Sequence, residues 1–164
     1  MPDQTARTPI AVGAAVLVVA LAGSALASVG ARQLSHRNHQ DALRGAALAA
    51  AEKTAVDFSA YDYRHLQQDF DRVVNDSTGK FKSAFQSSSA GVQDIIIKVK
   101  AVSTAEVASA SVVSAGPTSA TVIVALDRTI KNTSAPNGQN DSLRVSITVT
   151  LVHGQWLASD VKPL

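Results

Sequence analysis

The segment that most constrains the fold is residues 143–151, where apolar and polar side chains alternate without interruption. Its odd-numbered positions are all Leu, Val or Ile, and its even-numbered positions are Arg, Ser or Thr. Successive side chains of a β-strand point to opposite faces, so this pattern predicts a strand with one face in the core and one in solvent. A sheet with a single apolar face needs a second layer, and we therefore expect helices to cover it.

Three further segments carry strand patterns: residues 102–114, 121–130 and 156–161. Gly and Pro punctuation predicts turns at two places, Gly116-Pro117 and His153-Gly154. The segment 132–141 contains Pro136 and Asn137-Gly138 and is predicted to be a loop. Together these segments predict four antiparallel strands in the carboxyl-terminal half of the chain.

The residues before the strands predict helices. Residues 32–57 are rich in Ala, Leu, Glu, Lys and Arg, which are strong helix formers. Small apolar side chains recur there with helical spacing, at Leu43, Ala46, Ala47, Ala50 and Ala51. Such a stripe predicts a long helix that packs closely against its own domain or a partner helix.

Two more helices are expected before the first strand. Asp62 is a good N-cap for a helix whose apolar face comprises Leu66, Phe70, Val73 and Val74. A third helix would begin near Phe81, include Phe85 four residues later, and continue to about Val99. Helices followed by an antiparallel meander predict the α+β class, with about three helices on a four-stranded sheet.

The stretch FSAYDYRHLQQDF holds an unusual share of the aromatic residues. The chain has only one Trp, two Tyr and four Phe, and four of these seven lie between Phe58 and Phe70. Helical periodicity is absent from Phe58 to Tyr63, so the rings are expected to fill the junction between the first helix, the second helix and the sheet. The candidate junction residues are Phe58, Tyr61, Asp62, Tyr63, Leu66 and Phe70.

Residues 10–31 form an uncharged, mostly apolar run. As a helix it would span roughly 33 Å, about the hydrocarbon thickness of a bilayer. We therefore expect a transmembrane helix, with residues 1–9 as a short tail, residues 32–57 as a juxtamembrane helix and residues 58–164 as the domain. The alternative is a cleaved signal peptide with Ala25-Leu26-Ala27 at its cleavage site. The distribution of Lys and Arg leaves the orientation open.

Composition argues against several function classes. The net charge of +2 is too small for a nucleic-acid-binding field, and a chain without Cys has neither disulfides nor thiolate metal sites. We recognise no nucleophile motif, phosphate-binding loop or metal-ligand spacing. The sequence therefore predicts a protein that is not an enzyme and that uses no metal or cofactor.

Four stretches in this order resemble one family. They are ALRGAALAAAEKTAVDFSAYDY, LQQDFDRVVNDSTGKFKSAFQ, KAVSTAEVASASVVSAGPTSATVIVALDRTIKN and LRVSITVTLVHGQWLASDVKPL. The more specific parts are the YDY step, the TGKF turn and the terminal Gly154-x-Trp156-Leu157. Following an apolar span, they are similar to the actinobacterial Mce-associated (mammalian cell entry associated) membrane proteins.

This resemblance implies an NTF2-like (cystatin-like) cone held outside the cytoplasmic membrane, with the amino end inside. It also implies an accessory or stabilising role in Mce complexes, which import lipids or sterols. The implied partners are Mce proteins, other membrane subunits and membrane lipid, and not nucleic acid. The family defines no catalytic residues, so none are assigned.

Three other functions remain open from the sequence. A cavity between sheet and helices, lined by Phe81, Phe85 and Trp156, would bind a lipid or sterol. The domain could instead serve in assembly of a type IV secretion-like apparatus, whose inner-membrane subunits share the expected architecture. An NTF2-like isomerase or hydratase is the least favoured, because no convincing acid–base pair is present.

Overall fold

The computed structural model describes residues 37–164. The chain divides into two units, residues 1–41 and 42–164, and residues 37–41 of the first are helical. Between residues 37 and 164, no helix combines the length and the apolar character needed to cross a membrane. The predicted tail 1–9 and the predicted span 10–31 lie outside the described residues.

Three helices precede most of the sheet. Residues 37–59 form α1, Leu66–Asn75 forms α2 and Gly79–Lys98 forms α3. The third helix runs without a break through SSSAG at residues 87–91. Several serine hydroxyls there donate to carbonyls three or four residues earlier, as Ser87 does to Ser83, so the polar run is accommodated within the helix.

The sheet is a five-stranded antiparallel meander in the order β1-β2-β3-β4-β5. Its strands are β1 Tyr61–Asp62, β2 Val102–Ala115, β3 Ser119–Asn132, β4 Ala135–Val152 and β5 Gln155–Pro163. The α+β prediction is confirmed, but the expected count of four strands is wrong. The additional strand is β1, whose two residues pair with Val102 and Ser103 at the start of β2. Two residues carry no detectable alternation, which is why the sequence did not indicate this strand.

The prediction of a loop over residues 132–141 is also wrong. The strands β3 and β4 continue to Asn132 and Ala135, and only a tight turn separates them. The side chain of Asn132 accepts hydrogen bonds from the backbone N–H groups of Ser134 and Ala135, which stabilises the turn. Gly138 has φ +89° within β4, so the Asn-Gly pair lies inside the ladder instead of at its turn.

Asp62 is not the N-cap of α2. That helix begins at Leu66, and its N-cap His65 makes no side-chain capping bond. Asp62 belongs instead to β1, where its backbone N–H donates to the Asp69 carboxylate at 2.7 Å. Strand pairing and the hydrogen bond to Asp69 therefore place Asp62 in β1, and it does not cap α2.

The main core lies between α1 and one face of the sheet. Ala47, Ala51 and Ala55 are at most 1% exposed, and they face fully buried Val and Ile side chains of β3 and β4. Alanine brings the helix close to the sheet. Of the predicted stripe, Ala47 and Ala51 are buried in the core and Ala50 packs against it. Ala46 is exposed, so the buried face is turned toward Ala55. The buried strand residues are Val122, Val124, Leu126, Val145, Ile147 and Val149.

The two edges of the sheet differ. The β5 edge is covered by the α2–α3 connection, because the N–H of Thr78 donates to the carbonyl of Ala158 at 2.8 Å and the N–H of Ala158 donates to Asp76 at 2.8 Å. The β2 edge pairs only at its first two residues, with β1. Residues 104–115 of β2 therefore have a strand on one side only within the described chain.

Candidate functional site

The junction between α1, β1 and α2 is organised around one buried carboxylate. Asp69 is 2% exposed. One of its oxygens accepts the N–H of Asp62 at 2.7 Å, and the other accepts from Arg72 Nη2 at 2.8 Å and lies 3.3 Å from His65 Nδ1. The carboxylate thereby joins the first turns of α2 to β1 through hydrogen bonds to a charged acceptor.

Ion pairs extend this junction on both sides. Arg72 Nε lies 3.5 Å from Asp57 of α1, and Lys53 also pairs with Asp57 at 2.7 Å. On the other side, Arg64 binds the Asp62 carboxylate, and these hydrogen bonds lower the pKa of Asp62 to about 2. The charges are mutually satisfied, so these contacts form a structural link between α1, β1 and α2.

The aromatic residues between Phe58 and Phe70 pack in two different places. Tyr61, Tyr63 and Phe70 pack against a small cluster of Leu66, Ile96 and Ala101, beside β1 and the end of α3. Phe58 lies instead on α1, with its ring centroid 6.0 Å from Phe81 and 6.1 Å from Phe85. The structure thus brings most of the predicted junction residues together but directs Phe58 toward α3.

All four phenylalanines of the chain form one cluster. The Phe70 and Phe85 rings meet edge to face at 5.4 Å, and Phe81 and Phe85 are 6.1 Å apart. These spacings are within the range of favourable ring pairs. The cluster connects α1, α2 and α3. It is partly open to solvent, because Phe58 is 37% exposed.

The carboxyl-terminal half of α3 presents a solvent-exposed apolar surface. We call Val92 and Ile95, which are 47% and 61% exposed and lie three residues apart on one side of the helix, the α3 surface. Ile97, which is 51% exposed, lies roughly 160° around the helix axis from Ile95 and is not part of it. Ile96, between Ile95 and Ile97 in the sequence, is buried at 6%, so the helix is held to the domain by that side chain. Large aliphatic side chains grouped on one exposed helix segment are typical of contact surfaces.

Trp156 lies apart from the phenylalanines. It lines a surface pocket of about 450 Å³ between α1, the end of α2 and β5, together with Ala46, Ala50 and Asn75. Neither Phe81 nor Phe85 lines this pocket. The three residues predicted as one apolar pocket or core are therefore separated, although Phe81 and Trp156 both contact the main core.

A second pocket of about 580 Å³ lies at the far end of β2, β3 and β4. Its lining is polar: it includes the carboxylates of Glu106 and Asp127 and the ion pair between Arg128 and Asp141, so the carboxylates there exceed the cations by two. Glu106 and Asp127 occupy directly opposite positions of the β2–β3 ladder. Like charges in directly opposite positions disfavour strand pairing, by an amount that solvent reduces here because both residues are exposed.

Neither the burial of Asp69 nor the pairing of Glu106 with Asp127 is evident from the sequence. Asp69 lies on the polar face predicted for α2, so the pattern predicts that it is exposed to solvent. Tertiary contacts bury it instead. The pairing of Glu106 with Asp127 depends on the β2–β3 register, which includes bulges at 107/109 and 112/114. Alternation alone does not indicate such shifts. Across residues 37–164, no group of three or more His, Asp or Glu side chains is placed to hold a metal ion.

The comparisons with known proteins identify the family. Residues 8–163 match the family described as uncharacterized protein Rv1363c/MT1408-like. The chain belongs to this family. It is also 31% identical over 120 residues to uncharacterized protein Rv1363c of Mycobacterium tuberculosis, which covers 73% of this chain and 46% of that protein. Uncharacterized protein Rv1362c of the same species is 29% identical, with 73% and 54% covered. The chain thus spans about half the length of these relatives.

Several solved structures of other proteins share the fold of this protein. An IcmL-like type IV secretion system protein from Legionella pneumophila matches with a TM-score of 0.59 at 14% identity, covering 71% of this chain and 88% of that one. A periplasmic fragment of TraM matches with 0.59 at 13% identity, covering 73% and 96%. The VirB8 protein of Agrobacterium tumefaciens matches with 0.53 at 15% identity, covering 77% and 92%. At these identities the likeness establishes a common fold of helices and a curled antiparallel sheet.

Proposed function

We propose that this protein is a non-enzymatic, membrane-anchored accessory subunit of an Mce lipid or sterol import complex. In this proposal residues 10–31 anchor the chain in the cytoplasmic membrane with the amino end inside. The NTF2-like domain lies outside and stabilises the complex through contacts with Mce proteins and other membrane subunits. The resemblance of the sequence to Mce-associated proteins and its membership of an actinobacterial family support this assignment.

The observation that carries the proposal is the α3 surface. Ile95 is 61% exposed although its neighbour Ile96 is buried, so the helix holds an apolar side chain out into solvent. The stability of the domain alone does not require an apolar residue at this exposed position. A protein partner that covers the α3 surface would remove the apolar area from water, which explains its retention.

Co-purification tests this role. The full chain, carrying an affinity tag, should recover Mce subunits from native membranes. The double substitution Val92→Ser and Ile95→Ser should reduce that recovery severalfold without unfolding the domain, because both side chains are about half exposed. Ile123→Ser serves as the matched control, since Ile123 is an exposed apolar residue of β3. Absence of Mce subunits from the wild-type preparation would contradict the proposal.

A second candidate function is assembly of a type IV secretion-like apparatus. The fold shared with the IcmL-like protein, the TraM fragment and VirB8 favours it. The same purification separates the two candidates, because secretion subunits and not Mce subunits would then be recovered. The lipid-binding alternative has less support, since buried side chains fill the space between α1 and the sheet and Trp156 is separated from Phe81 and Phe85.

A further inference from the structure

The open edge of β2 is the longest unpaired strand edge of the described chain. Of its residues 104–115, nine are exposed, and the strand contains neither Pro, Lys nor Arg to discourage pairing. Two bulges at 107/109 and 112/114 interrupt its ladder with β3 and divide the edge into the regular stretches 104–107 and 109–112, although bulges also discourage pairing at an edge. On the opposite side of the sheet, the α2–α3 connection bonds β5 at Ala158, and residues 135–143 of β4 extend beyond β5 as a shorter unpaired edge that contains Pro136.

The charge beside this edge indicates what would pair with it. Glu106 lies on the edge strand and Asp127 lies opposite it on β3, and neither forms an ion pair with another described residue. Asp127 accepts a hydrogen bond only from the Ser142 hydroxyl at 3.1 Å. The 580 Å³ pocket, which both carboxylates line, is large enough to receive a long side chain from a neighbouring strand.

We propose that residues 104–115 of β2 bind an extended, basic segment of a partner protein, which adds to the sheet in line with β1. Backbone hydrogen bonds would provide affinity, as in other cases of strand addition. A Lys or Arg of the segment would enter the pocket and neutralise Glu106 and Asp127, which relieves the repulsion between them. This inference rests on the proposed role in protein–protein contact, but it uses a surface separate from the α3 surface.

A second copy of this chain is a poorer occupant on grounds of charge. Two β2 strands paired edge to edge would contribute two copies of Glu106 and no cation, because β2 contains no Lys or Arg. The carboxylates would then stay unneutralised in a drier environment. A basic segment instead supplies the missing charge, and the segment is therefore the expected occupant.

Peptides of defined chemistry test the proposal on the full chain in detergent. The first probe is a fluorescein-labelled nonapeptide in which every second residue is Ser and the residues between them are Lys or Val. The second has Glu in place of Lys, and the third retains Lys but carries N-methyl groups on alternate backbone amides, which blocks strand pairing. We expect the Lys peptide to bind, to slow hydrogen exchange within residues 104–115, and to bind about tenfold more tightly than either other peptide.

Substitutions then locate the binding. Glu106→Gln should weaken the Lys peptide about threefold, as expected for one exposed charge pair. Val107→Lys, on the edge, should weaken it further, whereas Ile123→Lys should not, although the two native side chains are 36% and 37% exposed. The α3 substitutions should leave peptide binding unchanged, so failure of the Mce assignment and failure of this inference are distinguishable.

Three results would overturn the inference. Equal binding of the Glu peptide would exclude recognition of a basic segment, and equal binding of the N-methylated peptide would exclude strand addition. Rapid formation of a disulfide between two copies of the Val113→Cys variant would assign the edge to self-association instead. Because the native chain has no Cys, that disulfide would be unambiguous.

Discussion

Removal of the Asp69 carboxylate should destabilise the domain by an amount comparable to the loss of a core side chain. Asp69→Ala leaves the backbone N–H of Asp62 without its acceptor in a site that is nearly closed to water. It also releases Arg72 from its shorter carboxylate contact. The link between β1 and α2 would then depend mainly on the apolar cluster around Leu66.

The expected magnitude follows from these contacts. A hydrogen bond to a charged group contributes about 1.5–3 kcal/mol when a buried donor would otherwise be unpaired. The ion pair adds about 0.5 kcal/mol, because Arg72 is 49% exposed and the solvent screens its charge. We therefore expect Asp69→Ala to lower the free energy of unfolding by about 3 kcal/mol, which corresponds to roughly 10 °C in Tm for a domain of this size. Asp69→Asn keeps one acceptor oxygen, and we expect about 2 kcal/mol.

Fluorescence of the single Trp156, in β5, provides the assay during heating or urea titration of the full chain in detergent. Asp71→Asn is the matched control, since Asp71 is exposed on the same helix and its side chain contacts only Gln67. Its effect should stay within about 0.5 kcal/mol. If Asp69→Ala and Asp71→Asn unfolded at the same temperature, the assignment of Asp69 as the central link of the junction would be refuted.

Further predictions concern packing, pH and one turn. Ala51→Leu should lower stability by about 2 kcal/mol because its site is fully buried, whereas Ala49→Leu on the exposed side of α1 should be nearly neutral by thermal unfolding. Asp62, with its pKa lowered to about 2, stabilises the fold above pH 4 and loses this effect as the pH falls toward 2. Asp62→Asn should therefore cost about 1 kcal/mol at pH 7 and nothing near pH 2, in urea titrations at both pH values. Gly154→Ala should cost about 1 kcal/mol, because residue 154 has φ +84°, whereas Gly116→Ala should not; equal melting temperatures would contradict this.

The strands show which parts of the sheet a periodic sequence pattern can predict. Residues 143–151 were predicted as a strand because their alternation matches the pleat, and β4 contains them with Val145, Ile147 and Val149 buried. The same strand begins eight residues earlier, at Ala135, in a polar segment with Pro and Gly that reads as a loop. Ladder hydrogen bonds to β3 hold that extension together, and they depend on a partner strand that a local pattern does not reveal.

The candidate surfaces show a similar division. The aromatic density between Phe58 and Phe70 predicted a junction between elements, but the partners of each ring depend on how α3 crosses α1 and α2. The sequence predicted that the third helix continues to about Val99, and α3 extends to Lys98. That Ile96 is buried while Ile95 and Ile97 are exposed is decided by how little of the domain lies beside that end of the helix.

The sequence by itself determined the α+β class, the helices and the alternating core of the longer strands, because side-chain periodicity is a local property of each segment. Tertiary structure alone decided that Asp69 is buried, that Glu106 stands opposite Asp127 and that β2 keeps an open edge. Those features arise from register and from contacts between residues far apart in the chain. Local side-chain patterns do not predict such contacts, because the contacts stabilise the fold only when the partner strand or helix is in place.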